Sequence, residues 1–112
     1  MSTITPLTYD ILLALADAPR HGYGIIKEIE SRGSAPSTGA MYLALQRMER
    51  DQLIEEAPER PSDVDDGRRR YYRITPRGRE LAEQESIRLA GLLATARAKD
   101  LLPGTAGGGG RR

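Results

Sequence analysis

From Thr75-Pro76 to Pro103-Gly104 the chain runs without an internal proline, and this stretch constrains the fold more than any other. Thr75 suits a helix N-cap. Pro76 suits the first helical position, where its missing N–H would have had no intrahelical partner. The pattern predicts one helix over residues 76–102, about 40 Å long at roughly 1.5 Å per residue. A compact domain of about 100 residues has a radius of gyration near 13 Å, so such a helix must project from the body it starts in. Its outer half is apolar, with Leu89, Leu92, Leu93, Ala94, Ala96, Leu101 and Leu102. The series Ala82, Ser86, Leu89, Leu93, Ala96 follows the spacing of a coiled-coil seam. A projecting apolar helix needs a partner, and the expected one is a second copy of the chain, met through Leu89, Leu92, Leu93 and Ala96.

The rest of the composition narrows the class. A length of 112 residues fits one small domain, not two. With no cysteine and a lone His21, disulfides, thiolate metal sites and a histidine cluster are excluded. No nucleophile and base pair or phosphate-binding loop is visible, and Arg77-Gly78-Arg79 falls inside the long helix, so neither an enzyme nor a cofactor is expected. No apolar run approaches the roughly 18 residues of a membrane span, and the N-terminus lacks a leader pattern, so a cytoplasmic protein without membrane contact is expected. There is no Trp or Phe, which leaves Leu, Ile and Ala to build the core.

A net charge of +1 conceals a steep local gradient. Residues 49–66 hold eight acids and two bases, whereas residues 67–79 hold six Arg and no acid. Arginines interleaved with Tyr71 and Tyr72, directly after an acidic loop, mark a place where an anion can dock.

Ahead of this gradient lie three short helices. Thr5-Pro6 opens the first, over residues 6–17, with Leu7, Ile11, Leu12 and Leu15 at helical spacing. The second runs from about His21 to Arg32, with Ile25, Ile26 and Ile29 on one face and Gly33 as its stop. His21 reads as a cap or turn residue. Ser37 caps the third, in which Met41, Leu45 and Met48 make the buried stripe and Thr38, Tyr42, Gln46, Arg47 and Arg50 hold the other face. Residues 53–56 and 70–74 suit two strands of an antiparallel hairpin, with Tyr72 and Ile74 on one face and Tyr71 and Arg73 on the other. A long polar loop with Pro58, Pro61 and Asp65-Asp66-Gly67 joins them, and a Gly-rich disordered tail over residues 103–112 ends the chain.

The fold class is therefore mainly α with a small β-hairpin: a winged helix-turn-helix over residues 1–75 followed by a long C-terminal dimerisation helix over 76–102. Three stretches, LTYDILLALADAPRHGYGIIKEIE, STGAMYLALQRMERDQLIEE and GRRRYYRITPRGRELAEQE, resemble in that order the PadR family of transcriptional regulators, in its short form with a single terminal helix. The resemblance implies a dimeric DNA-binding repressor, often released from its operator by a small molecule; the partners expected are double-stranded DNA with an inverted-repeat operator and a small apolar or aromatic effector. Among the departures from the family's GTLYPAL…GLI pattern, Ala40, Leu43 and Gln52 stand where Thr, Pro and Gly are usual. Ala40 removes a hydroxyl from the third helix. Leu43 favours the helix more than Pro does. Gln52 has to take the helix-to-strand turn without glycine's freedom for positive φ.

In this architecture the third helix enters the major groove. The candidate DNA contacts are Ser37, Thr38, Tyr42, Gln46 and Arg47 on that helix and Arg68, Arg69 and Arg70 on the wing. Gln46 suits adenine, Arg47 suits guanine or a phosphate, and the Tyr42 hydroxyl suits a phosphate. Each has a plainer alternative. Gln46 and Arg47 fit a solvated helix face, Tyr42 fits a half-buried place against the hairpin, and the arginines could pair with Asp63, Asp65 and Asp66. Tyr9 and Tyr23 are left open between the core and a dimer cavity. The rival function is a winged-helix module that binds another protein and no specific DNA sequence.

Overall fold

In the computed structural model, residues 4–58 and 70–103 are described. Helix α1 (Pro6–Leu15) starts where Thr5 and Pro6 direct, the Thr5 hydroxyl accepting the Thr8 N–H at 3.1 Å. It ends two residues before the expected boundary, because Pro19 and the bend over residues 16–18 turn the chain into strand β1 (Arg20–His21). Its last carbonyls are met by side chains: Arg20 Nε donates to Ala14 O at 2.7 Å and Arg79 Nη2 to Ala16 O at 2.9 Å. Helix α2 (Gly22–Glu30) is capped by His21, whose Nδ1 accepts the Gly24 N–H at 3.1 Å. Helix α3 (Thr38–Arg50) is capped by Ser37.

Strand β2 (Ile54–Glu56) and strand β3 (Tyr71–Ile74) pair antiparallel as expected, but the sheet has a third member. Its order is β1-β3-β2, with His21 opposite Tyr71 and Ile54 opposite Ile74. Two residues are too few to show a period, so β1 has no signature of its own in the sequence. It also changes which tyrosines are covered. Alternation predicts one buried face for β3, whereas Tyr71 and Tyr72 are both buried. The His21 ring packs edge-on against Tyr71 at 5.1 Å between centroids.

The core lies where α1, α2, α3 and β2 meet, and Ile11, Leu12, Leu15, Ile25, Ile29, Met41, Leu45, Met48 and Ile54 are its fully buried side chains. Helix α4 (Pro76–Ala98) begins against this core and leaves it. Of its residues only Gly78 and Glu85 are buried. The molecule measures 54 × 32 × 24 Å with a radius of gyration of 16.5 Å, well above the roughly 13 Å of a compact chain this size. The helix ends at Ala98, short of Leu102. Asp100 would face the negative end of the helix dipole if it continued the helix, and it takes a left-handed φ of 63° instead. The Leu101 N–H then closes the end by donating to Ala96 O at 2.8 Å.

Candidate nucleic-acid interface

Helix α3 is fastened by one face and bare on the other. Met41, Ala44, Leu45 and Met48 are buried, while Thr38, Gly39, Ala40, Tyr42, Leu43, Gln46, Arg47 and Arg50 are exposed. Steps of four residues align side chains along a helix, so the bare face carries two adjacent rows. One runs Thr38, Tyr42, Gln46, Arg50 and the other Gly39, Leu43, Arg47. Ser37 sits at the head of the helix, where its hydroxyl accepts the Ala40 N–H at 3.1 Å. The five α3 candidates, Ser37, Thr38, Tyr42, Gln46 and Arg47, are thus accessible together on one element. Arg50 extends the set and ion-pairs with Asp51 at 3.5 Å.

Tyr42 leans toward α2. A Cβ placed on Gly22 would overlap its hydroxyl, so this glycine leaves the room the ring occupies. The ring is 45% exposed, part packed and part free, and its hydroxyl end meets the start of α2.

On the hairpin, Arg70 is the wing arginine within the described residues. Arg68 and Arg69 lie outside them, as do Asp63, Asp65 and Asp66, the acids considered as their partners. Arg70 has found other acids. Its Nη2 lies 3.1 Å from Glu49 Oε2 on α3 and 3.2 Å from Glu56 Oε1 on β2, and its guanidinium lies 5.4 Å from the Tyr72 ring centroid. Burial pushes the Tyr72 hydroxyl above its ordinary pKa, and Arg70 opposes that. One guanidinium therefore joins the C-terminal end of α3 to both strands of the wing. Glu49 and Glu56 appear in the sequence only as members of an acidic block, since nothing local tells which acid a distant arginine will meet. Arg73 on β3 pairs with Glu55 at 2.8 Å in the same way across the hairpin.

Tyr9 and Tyr23, left open by the sequence, part company. The Tyr9 hydroxyl bonds Ser86 Oγ on α4 at 2.7 Å. Tyr23 is exposed on α2, stacked on His21 and covered on one side by Lys27 Nζ at 5.7 Å. Among the described residues no three His, Cys, Asp or Glu side chains gather as a metal ion would need, and no helix is long and apolar enough to cross a membrane.

A helix presented on its free side beside a hairpin is an arrangement shared with known proteins. Residues 11–84 match the transcriptional regulator PadR-like family. The chain belongs to that family. Its fold is similar to that of a PadR family transcription regulator from Clostridium difficile R20291, with a TM-score of 0.72, 27% identity, and coverage of 84% of this chain and 97% of that one. A PadR-like transcriptional regulator from Bacillus cereus gives a TM-score of 0.69 at 29% identity, covering 88% of this chain and 93% of that one. Lactococcus lactis ZitR, solved as a point mutant in complex with DNA, shares the fold at a TM-score of 0.62 and 19% identity, over 86% of this chain and 60% of that one.

A protein of transposon TN4556 from Streptomyces fradiae, described as an uncharacterized 37.1 kDa protein, is 42% identical over 83 residues. The match covers 73% of the PadR-like chain and 22% of that relative, so the chain spans under a quarter of the curated protein it matches. The PadR-like chain thus has the winged-helix fold of this family's regulators. The fold class expected from the order of elements and the family expected from three sequence stretches agree with these likenesses.

Proposed function

We propose that the protein is a dimeric, sequence-specific DNA-binding repressor, released from its operator by a small apolar or aromatic effector, and that it acts in the cytoplasm without enzymatic activity. The observation that carries this reading is the bare face of α3, with hydroxyl, amide and guanidinium groups on one exposed side and Met41, Leu45 and Met48 anchoring the other. Residues 1–75 act as the winged helix-turn-helix and 76–102 as the dimerisation region, and the expected tail spans residues 103–112. The tail falls outside the described residues from Gly104 on.

In this reading Gln46 and Arg47 contact base edges, while Ser37, Thr38 and Tyr42 hold the backbone. Arg68, Arg69 and Arg70 neutralise phosphates beside them. For Arg70 this means exchanging Glu49 and Glu56 for phosphate oxygens, a small cost because all three side chains are partly exposed and such pairs are weak. Dimerisation follows from the apolar outer half of α4. Ile87 is 73% exposed, Leu92 55% and Leu93 47%. Leu89 and Ala96 are partly covered and complete the seam. Two recognition helices about 34 Å apart would then read inverted half-sites one turn apart.

The test is selection of bound duplexes from a random pool at near-physiological salt. An inverted repeat is the expected product. Gln46→Ala should change the preferred sequence, and Arg69→Ala should weaken binding to every sequence and flatten its salt dependence. Weak, steeply salt-dependent binding with no enriched motif would replace this reading by a protein-interaction module.

A further inference from the structure

Leu43 occupies the middle of the bare face of α3 and is 56% exposed. At 3.6 residues per turn it points away from Met41 and Leu45, toward whatever α3 meets. Isolated leucines on a surface are ordinary. This one stands where every other large neighbour is polar: Tyr42 beside it, Gln46 and Arg47 one turn on. One turn before it is Gly39, where a Cβ would have nothing within 4 Å, so the helix surface falls away and leaves Leu43 as the raised apolar point of the face.

We infer that Leu43 is a specificity-determining residue that seats its isobutyl group against the C5-methyl of a thymine in each half-site. This rests on the reading that α3 enters the major groove. Among base edges presented there, thymine alone offers a methyl group; the edges of guanine, adenine and cytosine offer donors and acceptors. A leucine pressed on those would strip water from polar atoms and return no hydrogen bond. The same side chain thus favours thymine by burying a methyl and disfavours the other bases by desolvating them. Gln46 and Arg47 on the next turn suit purines by hydrogen bonding, so the thymine falls within reach of the base pairs they read.

The experiment uses the full chain and the sequence recovered by duplex selection, with each thymidine of one half-site replaced in turn by deoxyuridine. This removes one methyl group and leaves base pairing intact. One replacement is expected to weaken binding about fourfold, which is what burial of a single methyl is worth. Leu43→Ala, on an exposed helical position, should keep the thermal midpoint and the preference assigned to Gln46, yet bind the thymidine and deoxyuridine duplexes equally. Indifference of the wild-type protein to every replacement, or a Leu43→Ala protein that still prefers thymidine there, would overturn the role of Leu43 and leave operator recognition standing. Failure of the wild-type protein to enrich any motif would overturn both.

Discussion

Thr75 uses one hydroxyl twice. It accepts the Gly78 N–H at 3.0 Å as the cap of α4 and donates to Gln52 O at 2.7 Å, while its own N–H bonds Leu53 O at 3.1 Å. The turn after α3 and the start of α4 are thereby locked together at a buried point. Thr75→Val keeps the shape but removes the cap and leaves a carbonyl unpaired, and should lower unfolding free energy by about 1–3 kcal/mol in a denaturant titration. Gln52 itself sits at φ 64°, the strained turn anticipated from its standing in glycine's usual place. Its N–H bonds Glu49 O at 3.1 Å and the Leu53 N–H bonds Met48 O at 2.9 Å, so the helix end holds it there. Gln52→Gly should relieve the strain and raise stability by about 0.5–1 kcal/mol, measured by the same titration. A loss of stability would show that the Gln52 side chain contributes something its backbone conformation does not reveal.

Among elements, α4 divides at Glu85. Up to the next residue, Leu81 and Ala82 pack on the core and Ser86 bonds Tyr9 of α1, so Ala82 and Ser86, the first two positions of the expected seam, are used within the chain. Glu85 is buried and grips Arg88 through two hydrogen bonds, of 3.0 and 2.6 Å. The hydrogen bond from Arg88 outweighs burial and holds the Glu85 carboxyl below its ordinary pKa. A pKa lowered in the folded state stabilises the fold above the unfolded value and loses that contribution as the pH falls through the folded one. The wild-type thermal midpoint should therefore drop more steeply than that of Glu85→Gln as the pH falls below about 4. Parallel profiles would mean that the pair is equally satisfied in the unfolded chain.

For the whole molecule, a radius of gyration above that of a compact chain accompanies an α4 that leaves the core, with Ile87, Leu92 and Leu93 exposed on it. Apolar surface on a helix that has left its own core is stabilised by association. Leu93→Glu should shift sedimentation to the monomer and cost operator affinity, because one half-site holds far less tightly than two linked ones. A dimer that survives the charge would move the interface off Leu93.

Helix starts are legible because each is decided by two or three adjacent residues: Thr5-Pro6, Ser37 and Thr75-Pro76 each cap a helix through contacts within one turn. The core stripes of α1, α2 and α3 are legible for a similar reason, since period and burial coincide on a helix that packs on one side. The bare face of α3 follows from the same stripe, and with it the α3 candidates. What depends on distant partners is not written locally. The pairing of His21 with Tyr71, the capture of Arg70 by Glu49 and Glu56, and the diversion of Ala82 to the core and of Ser86 to Tyr9 all join residues that only the packed chain brings within reach. Which segments become helices, and which faces they bury, can be read from the order of residues because capping and periodicity act over a turn or two. Which polar groups pair across elements, and how much of α4 is left over, waits on the packed molecule because both depend on where the helices finally meet.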